Sequence, residues 1–360
     1  MDRVVKRTIL RTAKQTTVYI VVLGIAFILI FPMFFLFSFS FMSDYETYSE
    51  WPKPMFPSFS AEFMINRDES GYHLHIFNKA EQDYLNFGPL FFSSSDEDIE
   101  DLQKFIKRQS NCSTSIEEIK SQLKIVDKEG ETVFKLNKDI FANYVLFFQV
   151  TRDAPAAVVR SLMVAGLTII ISLTIGGMGG YAFARYFFKG KNMLKLSVLF
   201  VRMFPAVSIA IPMIIILARM GLYDQPLGLA LVYAVGQISI SIWVTASVFM
   251  SIPVSLEEAG MIFGTTKAGA FWHITLPLAM PGLAACAMYS FIGSWNEVLS
   301  AVVLTQFKPT FPVVVYKALV GTQGQMNLIT AGSVAQALPA IIFTLIIRKY
   351  ILQMWGGVKV

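Results

Sequence analysis

The sequence predicts an all-α membrane protein of six transmembrane helices, with a small α+β insertion between the first and the second. Three observations predict it. Of 360 residues, 54% are hydrophobic and only 15% charged, with 31 Phe, too little polar material to clothe a soluble surface of this size. Six apolar runs reach the roughly 20 residues that a helix needs to cross a hydrocarbon core of about 30 Å. Charge is also segregated: 20 of the 25 Asp and Glu lie between Asp44 and Asp153 with 12 of the 30 Lys and Arg, leaving 18 basic and 5 acidic residues elsewhere. In a soluble chain such a basic excess points to nucleic acid. Here the basic residues flank apolar runs, so the predicted partner is the lipid bilayer and no nucleic acid is expected.

The runs are Val18–Phe41, Ala156–Ala184, Leu194–Leu217, Leu227–Ile252, Leu276–Leu304 and Gly332–Ile351. They are read as helices because an isolated strand in lipid leaves its backbone groups unpaired. The first is too long for a signal-peptide core and lacks a small-residue cleavage site after it, so residues 1–42 read as a cytoplasmic N-terminus and a retained anchor. Arg3, Lys6, Arg7, Arg11 and Lys14 precede the first run, Arg185, Lys189, Lys191 and Lys195 follow the second, and Arg348, Lys349 and Lys359 close the chain. Six crossings put all three clusters on one face, the cytoplasmic one of a cell (plasma or inner) membrane, with both termini inside. The acidic segment 43–153 then lies outside, and residues 154–360 form the core with helices two to six.

Segment 43–153 is far longer than an ordinary connection. Gly71–Phe77 alternates as a strand, and Asp96–Gln109 reads as a helix after a Ser-rich cap. A second helix follows Ser113-Thr-Ser-Ile, and Glu131–Leu136 reads as a strand. Asn111-Cys-Ser113 matches a glycosylation triplet that occurs too often by chance to decide anything. Cys112 and Cys286 sit in unlike settings and offer neither a disulfide framework nor metal-ligand spacing.

The cytoplasmic loop 253–277, between the fourth and fifth runs, is the most informative stretch. Ser255 and Glu258 have capping-box spacing, which predicts a helix beginning just after Pro253. Gly264 suits a left-handed exit. Thr265 or Thr266 can cap a second short helix that ends before Pro277. Met261, Ile262 and Phe263 form an apolar knob beside Glu257 and Glu258, a pattern for docking a partner unless the loop folds back on the bundle.

Inside the membrane, polar side chains are costly and face a cavity or another helix. Arg202 either snorkels to the cytoplasmic interface or lines a pathway. Arg219 reads as an interfacial anchor. Asn296, Glu297 and Gln336 serve either helix packing or a translocation path, and Gln237 is a further candidate. Gly176-Gly-Met-Gly-Gly180 contains a G-x-x-x-G pattern for close helix approach.

Glu258-Ala259-Gly260-x-x-x-Gly264 followed by Ile274-x-Leu276-Pro277 resembles the cytoplasmic loop of ATP-binding-cassette importer permeases, the binding-protein-dependent inner-membrane components. Arg202-Met-Phe-Pro205, Ser294-Trp-Asn-Glu297, Leu328–Pro339 and Gly356-Gly-Val-Lys-Val360 resemble the carbohydrate branch, in particular the maltose-type second permease subunit. The resemblance covers 156–360 well and 1–42 loosely, and it leaves the insertion unexplained. It implies that Glu257, Glu258, Ala259, Gly260, Met261, Phe263, Gly264, Leu276 and Pro277 couple to an ATPase. It further implies that Gly321, Thr322, Gln323 and Gly324 touch a solute-binding protein, and that the C-terminal tail enters the ATPase dimer interface. The implied partners are a second homologous permease subunit, an ATPase dimer that uses ATP and Mg, an extracytoplasmic solute-binding protein and a sugar such as maltose, maltodextrin or trehalose. Two positions depart from the family pattern. Gly260 replaces Ala, at about 1 kcal/mol of helix stability, and Phe263 replaces Asp. No G-x-x-x-x-G-K-[ST] sequence occurs, so this chain is expected to be no enzyme and to bind no cofactor or metal. The alternatives are a permease for glycerol-phosphate, polyamine or peptide, and a membrane sensor that displays its outer domain. A secondary transporter has less support, because no midplane ionisable pairs or inverted repeats stand out.

Overall fold

Residues 2–48, 54–69, 71–79, 81–89, 91–151, 153–321 and 325–355 are described by the computed structural model. Two compact units emerge, 1–150 with 322–334, and 151–321 with 335–360.

The first unit opens with α1 (Asp2–Phe39), followed by α2 (Asp44–Tyr48), β1 (Ser60–Asp68), β2 (Gly71–Asn78), β3 (Asp83–Asn86), α3 (Asp96–Ser110), α4 (Ile116–Glu129), β4 (Glu131–Asn137) and α5 (Ala142–Val150). The strands form one antiparallel sheet in the order β3-β2-β1-β4. Its register sets Phe63 opposite Ile76 and Phe134, and Ile65 opposite Leu74. Period-two alternation therefore gathers the apolar side chains on one face, which packs on Ile99, Leu102 and Ile106 of α3 and Ile119, Leu123 and Val126 of α4. Both helices start on a serine: Ser95 accepts from the Asp98 N–H and Ser115 from the Glu118 N–H. Asn111, the sequon asparagine, is buried in the left-handed region as the C-cap of α3.

Asn143 of α5 ties this unit together. Its amide donates to Ser40 O (2.9 Å) and Met42 O (2.7 Å), and its oxygen accepts from Asn111 and Asn327. Deeper still, Lys138 and Glu46 form a fully buried ion pair. The Glu46 carboxylate also accepts from the Ser43 and Ser58 N–H groups, each at 2.8 Å. Burial alone would raise the Glu46 carboxyl, but the charge and hydrogen bond of Lys138, with those of Ser58 and Ser43, hold it below its ordinary value. The sequence reading anticipated β2, α3, α4 and β4 and missed β1, β3, α2 and α5. The short β3 and α2 carry too few residues for a periodic signal.

The second unit contains α6 (Ala154–Arg185), α7 (Lys191–Val201), α8 (Ala206–Arg219), α9 (Pro226–Ser251), α10 (Val254–Ile262), α11 (Lys267–Ala270), α12 (Leu276–Trp295), α13 (Leu299–Leu304), α14 (Phe311–Gly321) and most of α15 (Met326–Trp355). Among the described residues, five helical spans are long and apolar enough to cross a membrane: Lys14–Phe39, Ala154–Arg185, Pro226–Ser251, Lys267–Trp295 and Met326–Tyr350.

Two expectations need correction, and one element is new. The third apolar run is not one helix. It breaks at Arg202–Pro205 into α7 and α8, because Pro205 has no N–H to give and disfavours helical backbone at Phe204. The fifth run ends at Trp295, with Asn296 as its C-cap, and resumes only as α13. Between the fifth and sixth runs, where the sequence reading placed no element, lies α14, whose Phe311 N–H is capped by the Ser161 hydroxyl at 2.8 Å.

Close packing of α6 on α9 rests on the glycine stretch. The Thr245 hydroxyl donates to Gly176 O (3.1 Å), and a Cβ at Gly180 would overlap that hydroxyl and lie 2.8 Å from the Ala246 nitrogen. Backbone cannot yield as a side-chain tip can. Gly180→Val is therefore expected to cost about 1–3 kcal/mol by overpacking, read as a lowered thermal midpoint in detergent. Gly177→Ala, whose added Cβ meets nothing within 4 Å, should hold the midpoint or raise it, because Ala favours a helix interior by about 1 kcal/mol. Equal midpoints for the two variants would refute the packing account.

Candidate functional site

The loop between α9 and α12 is built by three local devices. Pro253 ends the preceding chain and α10 starts at Val254. Ser255 therefore lies inside the helix, and the expected capping box with Glu258 does not form, since Pro253 occupies the cap position and gives no side-chain cap bond. The exit is as expected: Gly264 has φ +92°, its N–H donates to Met261 O, and Thr265 N–H donates to Gly260 O. That double bond pattern is a Schellman motif, which only a residue comfortable at positive φ can complete. Thr266 then caps α11 by accepting from the Gly269 N–H at 3.1 Å.

The second helix does not stop before Pro277. It passes through a π-helical turn, Phe271–Thr275, into α12. The wider turn pairs the Leu276 N–H with Phe271 O and admits Pro277 in the first turn of α12, where no N–H is missed. Leu276 is half-buried and Pro277 exposed.

The knob is real and the two carboxylates part company. Ile262 is 84% and Phe263 89% exposed, with Met261 partly so; Glu258 and Ala259 are exposed beside them. Glu257, one residue earlier, points inward and is only 4% exposed. Its Oε1 accepts from Arg185 Nε (2.8 Å) and the Thr275 hydroxyl (2.7 Å), and its Oε2 accepts from the Tyr181 hydroxyl (2.9 Å). Arg185 spends its other donors on Phe249 O (2.8 Å) and Ile252 O (3.1 Å), carbonyls at the end of α9. One ion pair thus fastens the ends of α6 and α9, the start of α10 and the π turn. The rings of Tyr181, Phe249 and Phe271 pack beside it, with centroids 4.7–6.1 Å apart. Burial would raise the Glu257 carboxyl, but hydrogen bonds from Thr275, Arg185 and Tyr181, and then the Arg185 charge, hold it below its ordinary value.

Sequence reasoning missed Arg185, counting it only as an orienting charge. The available signal was Tyr181 one helical turn before a helix-terminal Arg. Gly260 is explained too: it is buried, and a Cβ there would press on the tip of Ile274. That tip is mobile enough to make either residue tolerable.

Of the polar residues that the sequence reading placed within the membrane, Arg202, Gln237 and Glu297 line one cavity of about 320 Å³, which Tyr233 and Gly293 also border. Arg202 donates to the Tyr289 hydroxyl and lies over that ring, 5.4 Å from its centroid. Glu297 Oε1 accepts from the Ser300 N–H (2.9 Å) at the start of α13. Gln237 Oε1 is buried without a partner, and its amide occupies the space that a Gly293 side chain would fill. Asn296 and Gln336 do not line this cavity. Asn296 is an exposed C-cap, and Gln336 offers its backbone oxygen to Trp295 Nε1 at 2.9 Å. Gly321 closes α14, whereas Thr322, Gln323 and Gly324, and the tail Gly356–Val360, lie outside the described residues. Among the described residues, no three His, Cys, Asp or Glu side chains gather as metal ligands.

Comparison with known proteins agrees with this architecture. The trehalose transport system permease protein SugB of Mycobacterium tuberculosis is 34% identical over 200 residues, 54% of this chain and 73% of that protein. The trehalose/maltose transport system permease protein MalG of Thermococcus litoralis is 30% identical over 220 residues, 60% of this chain and 79% of that protein. A solved bacterial ABC transporter involved in the import of the acidic polysaccharide alginate shares the fold, with a TM-score of 0.56 at 18% identity over 93% of this chain and 96% of that one. Residues 172–352, half of the chain and both regions just described, match the family profile, and the chain belongs to the binding-protein-dependent transport system inner membrane components.

Proposed function

We propose that this chain is the permease subunit of an ATP-driven, binding-protein-dependent importer of sugars or oligosaccharides, with trehalose and maltodextrins as the first candidates. The observation that carries the reading is the loop 253–277. It presents an exposed apolar knob, Ile262 and Phe263, on a turn locked by Gly264 and clamped by the Glu257–Arg185 pair. An apolar projection that rigid, at the end of membrane helices, suits a cleft on a separate ATPase. Names of relatives that carry trehalose and maltose support the sugar.

In this reading α7 and α8 cross the bilayer together as one discontinuous segment and make six crossings, with residues 43–153 outside and both termini in the cytoplasm. A second permease subunit, an ATPase dimer and an extracytoplasmic binding protein complete the assembly. ATP-driven closure of the ATPase dimer moves the loop, and the core alternates between inward- and outward-open states because the loop makes different contacts in each.

Two variants test the docking. Gly264→Pro forces φ near −65° where +92° is needed, and Glu258→Lys reverses the charge beside the knob. Each should insert normally yet lose co-purification with the ATPase and uptake of radiolabelled trehalose and maltose. Wild-type co-purification and uptake in both would sink the assignment.

A further inference from the structure

We propose that this chain itself contacts the cargo, in the cavity bordered by Arg202, Gln237 and Glu297, and that this cavity takes one uncharged, hydroxyl-rich sugar ring. The proposal rests on the sugar-importer reading and adds to it which residues hold the sugar.

The three polar side chains come from separate places in the chain. Arg202 sits in the break between α7 and α8, Gln237 mid-way along α9, and Glu297 in the break between α12 and α13. Both helix interruptions therefore border the same cavity. Irregular backbone at membrane depth is tolerated where it is buried in protein or lines a polar space, and interrupted helices recur at solute sites for that reason.

The second observation is an unmet bond. Gln237 Oε1 is buried without a donor, a state that native proteins rarely leave uncompensated. Gly293 keeps the Gln237 amide in place, since any side chain there would displace it. Further groups on the cavity wall suit a polyol. Arg202 has five N–H donors, and the Tyr289 hydroxyl accepts from Nη2. Glu297 uses Oε1 on Ser300, and its Oε2 is an additional acceptor. The Tyr233 ring adds an apolar wall, the kind of surface that the C–H face of a sugar covers.

Size narrows the ligand. About 320 Å³ lies at the small end of ligand cavities, which fits one ring of a longer chain at a time. One cation and one anion border the cavity, which therefore carries no net charge to select a ligand charge of either sign. A neutral ring meets donors on one side and acceptors on the other.

The competing account makes these residues structural, with Glu297 only capping α13 and Arg202 only resting on Tyr289. Gln237→Leu and Glu297→Gln separate the two, because the glutamine keeps an oxygen for the Ser300 N–H. The complete transporter, reconstituted with its ATPase and binding protein, is assayed for uptake of radiolabelled trehalose and maltose and for ATPase stimulation by the sugar-loaded binding protein. The expected result is at least a tenfold loss of uptake and a changed trehalose-to-maltose ratio in both variants, with ATPase stimulation within twofold of wild type. Wild-type uptake and ratio in either variant would overturn the cavity assignment and leave the importer reading standing. A wild-type complex that takes up neither sugar would instead overturn the sugar reading, and this proposal with it.

Discussion

Arg185→Met is expected to leave the chain in the membrane and to abolish its transport. The substitution strands the Glu257 carboxylate in a site that is 94% shielded, and it removes the donors that meet Phe249 O and Ile252 O. Removing one partner of a buried pair costs about 3–5 kcal/mol, because the other charge stays buried. The seated loop then becomes rarer by roughly 100- to 4,000-fold, at about 1.4 kcal/mol per factor of ten. Uptake should fall at least a hundredfold, and the ATPase should no longer respond to loaded binding protein. Arg185→Lys keeps the charge without the fork that reaches two carbonyls and a carboxylate together, so an intermediate loss is expected. The pair Arg185→Met with Glu257→Met removes both charges, and its thermal midpoint should return toward wild type. Full uptake by Arg185→Met would show that the clamp is dispensable.

The clamp is constitutive with respect to pH. A depressed carboxyl contributes its stabilisation above the ordinary value of 4.5 and loses it only as pH falls through the lower, folded-state value. Near neutral pH the carboxylate stays ionised, so the pair behaves as a fixed strut.

Lys138→Met should unfold much of the insertion by the same logic. Its side chain is 1% exposed, and that of the partner Glu46 6%; alone, Glu46 keeps only its Ser43 and Ser58 bonds. A loss of about 3–5 kcal/mol is expected, against a total of about 5–15 kcal/mol for an ordinary domain. Amide hydrogen exchange in the full-length chain should quicken through β1, β4 and α2, while α6 and α9 stay protected. The double variant Lys138→Met with Glu46→Gln should recover most of the protection. The sign for acid is also set: Glu46 is held below 4.5, so its contribution is complete above that pH and disappears as pH falls through the depressed value. Unchanged exchange in Lys138→Met would mean that the pair contributes nothing to the fold.

Much of the architecture was legible because its signals are local. Ser95 and Ser115 announce α3 and α4, the alternation Gly71–Phe77 announces β2, and Gly264 announces the loop's left-handed exit. Each signal acts within about one turn of helix or one strand. Proline shows where that reach ends. Pro212, Pro281 and Pro339 all sit inside helices, whereas Pro205 coincides with a break. In a membrane core a freed carbonyl can be met by a neighbouring helix, so the residue type alone cannot say which proline interrupts.

The same limit applies to the loop 253–277. Composition, run length and loop charges were sufficient for a helical membrane protein with a projecting apolar loop, because solvation by lipid and the cost of exposed apolar surface act on any chain of that pattern; the permease reading came from the loop's resemblance to a family. Which of two adjacent glutamates turns inward depended on a rotation of about 100° per residue along α10 and on Arg185, 72 residues away. The cavity at Arg202, Gln237 and Glu297 likewise required three distant segments to meet. The exposed apolar knob is a property of local pattern, whereas the clamp and the polar cavity come from long-range pairing, where an unmet charge or hydrogen bond is costly enough to select one partner.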